Sequence, residues 1–401
     1  MVIFPEKGCE IVGMEKPLRV GVFFSGLSGG GAQRRSLMLV RGFVEHSCAV
    51  DVVVVRDEGP FRAAVTPSAK LFALEPRMAY LPIIRNIKGL WVLSSLFALA
   101  RYFVTVHPDV LLSTSTPANL AALWGRMLSR TRIPVVITVN LNLTASTAKW
   151  GALVAKLLRW LISRTYRNAQ AVIAISRGVA EDLVTVTGIP KERIFQIYNP
   201  LDFEFVSRQS RETIDHPWLC IGAPPVVLAV GKLKRQKDYP TLVRAFARVR
   251  AYHKARLVIL GEGEERDQIE QLVRDLGIQA DVYMPGFVEN PFAWMSRASV
   301  FVLSSAWEGF SNVLLEGLAC GCTVVSTDCP SGPREILADG EFGHLVPVGD
   351  DKNLASAIET ALSAPPQRER SVARAAEFGF DDSVEHYLTI LHHVCEVRQG
   401  D

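Results

Sequence analysis

The chain has 401 residues, 49% of them hydrophobic, with a formal net charge of +3. That length is too great for one ordinary domain and suits two, each with its own core. No run reaches the roughly 18–20 uncharged apolar residues that cross a bilayer, and Met1 to Lys16, carrying three glutamates, lacks the apolar centre of a signal peptide.

The charge is unevenly spread. Residues 1–200 hold 24 Lys and Arg against 12 Asp and Glu, whereas residues 201–401 hold 20 against 29. A basic first half points to an anionic surface or substrate; plain segregation of charge by domain is the alternative. The seven cysteines include no Cys-x-x-Cys pair, and Cys320, Cys322 and Cys329 lack zinc-ligand spacing. They read as small core residues of a reduced, cytoplasmic protein.

In chain order, Leu18 to Phe24 is the first buried strand, followed by a glycine-rich loop, Gly26 to Gly31, and a helix over Ala32–Val44. Glycines between strand and helix let a backbone approach a ligand, but their spacing is not the G-x-G-x-x-G dinucleotide fingerprint. Further strands follow at Val50–Val55, Lys70–Leu74, Val110–Ser113, Val135–Val139 and Ala171–Ile175. The helices between the later ones indicate a doubly wound α/β sheet. Ile83–Val106 and Trp150–Tyr166 read as helices with broad apolar faces, tryptophans and flanking Lys and Arg. Such helices suit an anionic membrane surface, or equally a core with a basic rim. Ser176 is placed as a helix N-cap, and Ile194–Asn199 as the last strand of the first domain. Polar Glu204–Gly222 reads as an irregular linker.

The second domain restarts with the strand Val226–Gly231. A basic loop, Lys232-Leu233-Lys234-Arg235-Gln236-Lys237, and a helix from Asp238 follow. Four positive charges in six residues at a strand's carboxyl end can clamp a diphosphate, although an isolated cluster would read as a solvated loop. Leu257–Leu260 with Gly261-Glu262-Gly263, and Val282–Val288, form the next strands and turns. Ala298–Leu303 is a buried strand leading into Ser304–Glu316, with Ser311 as expected N-cap of a helix over Val313–Cys320. Thr323–Ser326, the turn Asp328–Leu337, His344–Val348 and a terminal helix from Phe380 complete the chain.

Glu308 and Glu316, with seven residues between them in the context Glu-Gly-Phe-Ser-Asn, resemble the E-x7-E motif of retaining glycosyltransferases of family 4. Nearly the whole chain shares the resemblance. Gly30-Gly31-Ala32-Gln33-Arg34 is similar to the family's Gly-Gly-Ala-x-Arg opening, and Gly231 to Lys237 to its Gly-Arg-Leu-x-x-x-Lys loop. The resemblance implies the GT-B fold, two Rossmann-like domains facing across a cleft. An acceptor domain would span 1–203, with 380–401 crossing back, and a nucleotide-sugar domain 204–379.

It also implies roles. Glu308 touches the donor sugar, and Gly309, Phe310, Ser311, Asn312 and Val313 hold sugar and diphosphate through the backbone. Glu316 takes the ribose hydroxyls. Lys232 and Lys237 bind the donor phosphates, with Gly231 and Arg235 in the same loop; lysine at 232 keeps the charge but loses bidentate geometry. Gly30 and Gly31 face the diphosphate, Gly261 and Gly263 lie near the nucleotide, and Phe287 lies in the segment bordering the base. Asn140 stands where many members have a histidine, leaving no titratable base there but an amide able to bond a sugar or acceptor hydroxyl.

The resulting expectation is a retaining hexosyl or N-acetylhexosaminyl transferase using a nucleotide sugar, UDP-linked by preference, on a lipid-diphosphate-linked glycan. No cofactor is expected: Asp-x-Asp is missing, so lysines rather than a metal would meet the phosphate charge. The expected partners are the donor, the acceptor and an anionic membrane, not nucleic acid, with the chain peripheral on the cytoplasmic face. The alternatives are an epimerase or hydrolase of the same fold, or a catalytically silent membrane adaptor.

Overall fold

A computed structural model describes residues 17–27, 30–76, 90–148 and 150–400. Met1–Lys16, part of the glycine-rich loop, and Ile83–Gly89 of the first expected amphipathic helix lie outside the described residues. The chain divides into two compact units, Met1–Pro200 with Asp381–Asp401, and Leu201–Phe380. Its two crossings at the boundary run side by side in the second unit, where Leu201 N–H donates to Phe378 O at 3.1 Å.

The first unit is built on a seven-stranded sheet of β1 (Arg19–Gly26), β2 (Ala49–Arg56), β3 (Lys70–Ala73), β4 (Val110–Thr114), β5 (Val135–Val139), β6 (Ala171–Ala174) and β7 (Ile194–Gln196). Every pairing is parallel, in the order β3-β2-β1-β4-β5-β6-β7. Helices cover both faces of such a sheet, so β4, β5 and β6 are buried at every position. That is why they read as unbroken apolar runs rather than alternating ones.

The second unit repeats the plan with β8 (Val226–Val230), β9 (Arg256–Leu260), β10 (Val282–Gly286), β11 (Val300–Leu303), β12 (Thr323–Thr327) and β13 (His344–Val346). These too are all parallel, in the order β10-β9-β8-β11-β12-β13. Its core joins Val227, Ala229, Leu257 and Ile259 of the sheet to Leu242, Phe246 and Val249 of helix Tyr239–Tyr252. In each unit the strand order reverses once, between β1 and β4 and between β8 and β11. A doubly wound sheet opens its ligand crevice at that reversal, beyond the carboxyl ends of the strands.

Two elements differ from the sequence reading. The expected linker carries a helix, Phe203–Ser210, capped by Asp202 Oδ1, which accepts from Phe205 N–H at 3.0 Å. The Phe205 ring packs edge-on to Phe292 at 5.9 Å, and His216 lies 4.7 Å from Tyr283 and 5.1 Å from Trp294. A few aromatic anchors therefore order a segment whose polar average hid them. The helix expected to run through to Val106 is broken: Leu90–Leu93 and Leu96–Val106 are separate, and Ser94 and Ser95 each turn a hydroxyl onto a backbone carbonyl three residues back. Such local bonds compete with helix propagation.

Candidate active site

At the reversal in the second unit, Gly231 follows β8 and leads through the turn Arg235–Lys237 into helix Tyr239–Tyr252. Beyond β11, Ser304–Ser311 leads into helix Asn312–Ala319. The two loops are joined by hydrogen bonds. Ala306 N–H donates to Gln236 O at 2.8 Å, Gln236 Nε2 to Trp307 O at 2.8 Å, and Ser304 Oγ to Lys237 O at 2.7 Å.

Inside this frame sits Glu308, only 6% exposed. Its Oε1 accepts from Lys237 Nζ at 2.7 Å and from Ser305 Oγ at 2.7 Å, and its Oε2 from Gln236 Nε2 at 3.2 Å. A carboxylate so far from water persists because a cation and two neutral donors meet it. Tyr239 is fully buried and donates to Gly231 O at 3.0 Å. Its phenol is pushed well up, first by burial and then by the Glu308 charge, so it remains a donor. Lys237 uses one of its three N–H bonds on Glu308 and keeps two for other oxygens.

Two glycines bring neighbouring turns to this frame. A side chain at Gly261 (φ +150°) would place its Cβ 2.0 Å from Gly231 O; one at Gly332 (φ +100°) would place it 2.3 Å from Phe310 O. Backbone cannot yield to such contacts, so the turns after β9 and β12 approach those after β8 and β11 only without a Cβ. Gly261→Ala is expected to cost about 3 kcal/mol in urea unfolding.

The other expected residues of this unit lie on the same loops with different exposure. Lys232 and Arg235 are exposed, and so is the ring of Phe287, at 79%. Gly263 follows β9, and Phe310 is buried with its ring 5.5 Å from Phe378. Asn312, Val313 and Glu316 are half-buried on the helix that starts at Asn312. The expected capping by Ser311 does not occur. Ser311 stands at the N-cap position in a left-handed conformation (φ 73°), and its buried Oγ caps nothing and has no partner among the described residues. The turn from β11 demands that backbone, which aims the hydroxyl away from the helix amides.

In the first unit, Gly30 (φ +135°) precedes helix Gly31–Glu45. Asn140 follows β5, and its Oδ1 accepts from Arg35 Nη2 at 2.6 Å. Arg35 Nη1 donates to Asn199 Oδ1 at 2.5 Å. Among the described residues no group of three His, Cys, Asp or Glu is placed to hold a metal ion. The six described cysteines are free thiols, with burial pushing Cys48 up to about 11 and Cys322 up to about 12.

Residues 29–205 match the family model Glycosyltransferase Family 4, and residues 210–378 match Glycosyl transferases group 1. The chain is 31% identical over 346 residues to N-acetylgalactosamine-N,N'-diacetylbacillosaminyl-diphospho-undecaprenol 4-alpha-N-acetylgalactosaminyltransferase of Campylobacter jejuni, covering 86% of this chain and 90% of that one. This chain is a family 4 glycosyltransferase. It is also 32% identical over 231 residues to the lipopolysaccharide core biosynthesis glycosyltransferase LpsE of Rhizobium meliloti, over 56% of this chain and 65% of that one. Two solved structures share its fold at 19% identity. HepE of Anabaena, in complex with UDP and glucose, has TM-score 0.73 over 94% of this chain and 100% of its own. Sucrose-phosphate synthase of Thermosynechococcus elongatus has TM-score 0.77 over 95% and 100%. The fold of the glycosyltransferase is thus GT-B, with two Rossmann-like sheets.

Sequence reasoning passed over four residues that the fold brings to these sites. Gln236 and Ser305 bond Glu308 directly, and both stood inside stretches already singled out, a neutral amide in a basic loop and a serine three residues before the glutamate. Arg35 is 2% exposed and Asn199 6%. Arg35 adjoins the expected Arg34 of the glycosyltransferase motif, and only its burial sets it apart.

Proposed function

We propose that this glycosyltransferase moves a hexose or N-acetylhexosamine from a UDP sugar to a lipid-diphosphate-linked glycan, with retention at the anomeric carbon. The observation that carries the reading is the buried Lys237–Glu308 pair at the strand-order reversal, with Lys232 and Arg235 exposed on the same loop. An ammonium held at the carboxyl end of β8 neutralises a diphosphate as it gains charge on leaving. Glu308 holds that ammonium through Oε1 and keeps lone pairs on Oε2 for a sugar hydroxyl. The C1–O bond to the diphosphate breaks through an oxocarbenium-like state. The acceptor hydroxyl bonds C1 on the vacated face, and its proton passes to the departing phosphate oxygen. Lysines and backbone amides meet the charge, without a metal. The second unit takes the donor and the first the acceptor. Support for donor and acceptor class comes from the UDP held by the Anabaena protein and from the diphospho-undecaprenol substrate in the Campylobacter enzyme's name.

The test is mass spectrometry of products from a panel of UDP sugars with lipid-diphosphate acceptors. A product heavier by one hexose or N-acetylhexosamine supports the reading, and an anomeric configuration opposite to the donor's, read from the product's anomeric coupling by NMR, would overturn retention. Epimerised or hydrolysed donor without any transfer would overturn the transferase assignment.

We further propose a peripheral position at the cytoplasmic membrane face. No helix among the described residues is long and apolar enough to cross a membrane. Helix Ala152–Tyr166 exposes Leu153 at 82%, Leu157 at 63% and Trp160 at 60%, with Trp150 just before it at 58%. Lys156 and Arg164 are exposed on the same helix. An apolar strip with basic flanks suits an anionic lipid interface. Leu157→Glu with Trp160→Glu is expected to weaken binding to phosphatidylserine-rich vesicles at least about 10-fold. Binding by the unaltered protein should fall as salt rises; indifference to lipid charge in co-sedimentation would overturn the membrane position.

A further inference from the structure

Three charged side chains are buried among the described residues: Arg35, Asp51 and Glu308. Asp51 receives the Arg19 guanidinium at 3.0 and 3.2 Å, and Glu308 receives Lys237 at 2.7 Å. Among the described residues Arg35 bonds no carboxylate. Its Nη1 and Nη2 donate to the amide oxygens of Asn199 and Asn140, and its Nε finds no acceptor. Burial pulls its pKa down, with Tyr387 of the terminal helix acting in the other direction. A guanidinium withdrawn from water without a counter-charge costs stability that an apolar side chain of similar size would not.

The guanidinium has donors only, so each amide must turn its oxygen to Arg35 and its NH2 away. Asn140 Nδ2 is buried and has no partner among the described residues. The carboxyl end of β5 therefore holds an N–H donor of fixed direction with an uncompensated positive charge behind it. We propose that Arg35 is a positioning residue for glycosyl transfer, locking the Asn140 amide so that Nδ2 donates to a substrate oxygen. Its charge polarises the amide and strengthens that donor as the oxygen gains negative charge. Asn140 would thus act as a donor that does not titrate. The inference rests on the transferase reading, and it explains why the chain keeps a cation that costs it stability.

The experiment compares Arg35→Met, Arg35→Lys and Asn140→Asp with the unaltered protein, on the donor and acceptor identified by the UDP-sugar panel, and follows UDP affinity and Tm alongside. Arg35→Met is expected to keep its Tm while kcat falls about 100-fold and KM changes less. Its UDP affinity should stay within about threefold of the unaltered protein's, a span of about 0.7 kcal/mol. Arg35→Lys should recover part of kcat. Asn140→Asp gives Arg35 a carboxylate, so Tm should rise by a few degrees while turnover is lost with the donor. Turnover retained by Arg35→Met or by Asn140→Asp overturns the inference. So does a loss in which kcat, Tm and UDP affinity fall together. Should Arg35→Met fail to fold, Asn140→Asp decides: folded and inactive supports the inference, folded and active overturns it. Absence of turnover by the unaltered protein on every pair overturns the transferase reading itself.

Discussion

Lys237→Met is expected to lower turnover by about 10²–10³-fold, because it removes the preorganised cation proposed to meet the leaving diphosphate. The same change strands a carboxylate. Lys237 and Glu308 have side-chain exposures of 13% and 8%, so solvent does little to screen their pairing. Removing one partner of such a pair costs about 3–5 kcal/mol, a fall in Tm on the order of 10 °C for a unit of this size. Ser305 and Gln236 would still donate to Glu308, which places the cost at the lower end. The double variant Lys237→Met with Glu308→Gln separates the two effects. It should recover much of the lost Tm, since no unpaired charge remains, and none of the lost turnover. Recovery of both would make the pair a structural feature only.

Glu316→Gln is expected to weaken UDP binding by about 10–100-fold, because the role proposed for Glu316 is one or two charge-assisted hydrogen bonds to ribose hydroxyls. Glu316 lies half-buried in the second turn of helix Asn312–Ala319, on the loop system that carries Glu308. Glu308→Gln should behave differently. It leaves UDP affinity within about threefold, or about 0.7 kcal/mol, and lowers kcat about 100-fold, because one face of the new amide offers N–H where Lys237, Ser305 and Gln236 all donate. Calorimetry with UDP and steady-state kinetics read the two effects separately. Equal losses in both variants that follow Tm would remove the assigned roles.

Much of the fold was legible because a parallel sheet buried on both sides needs unbroken apolar runs. β5 occupies Val135–Val139, and β8 and β11 end within a residue of their expected ends. The segment Phe203–Ser210 was not legible, because its helix depends on a few aromatic contacts rather than on its average polarity. Ser311 shows the limit for caps: residue type favoured capping, but the backbone demanded by the turn after β11 decided otherwise.

The sequence by itself determined the strand–loop–helix repeat, the two-unit division of apolar runs, and which loops carry the charged and glycine residues. Only the tertiary structure decided which of those residues meet. Lys237 and Glu308 are 71 positions apart, and Arg35 lies 105 from Asn140 and 164 from Asn199. Their contacts follow from strand order, β8 beside β11 and β1 within a sheet that also holds β5 and β7. No local periodicity encodes that order; it comes from long crossovers packing helices onto a common sheet. Should Lys237 prove dispensable for turnover in a folded protein, the chemistry assigned to that meeting point falls with it.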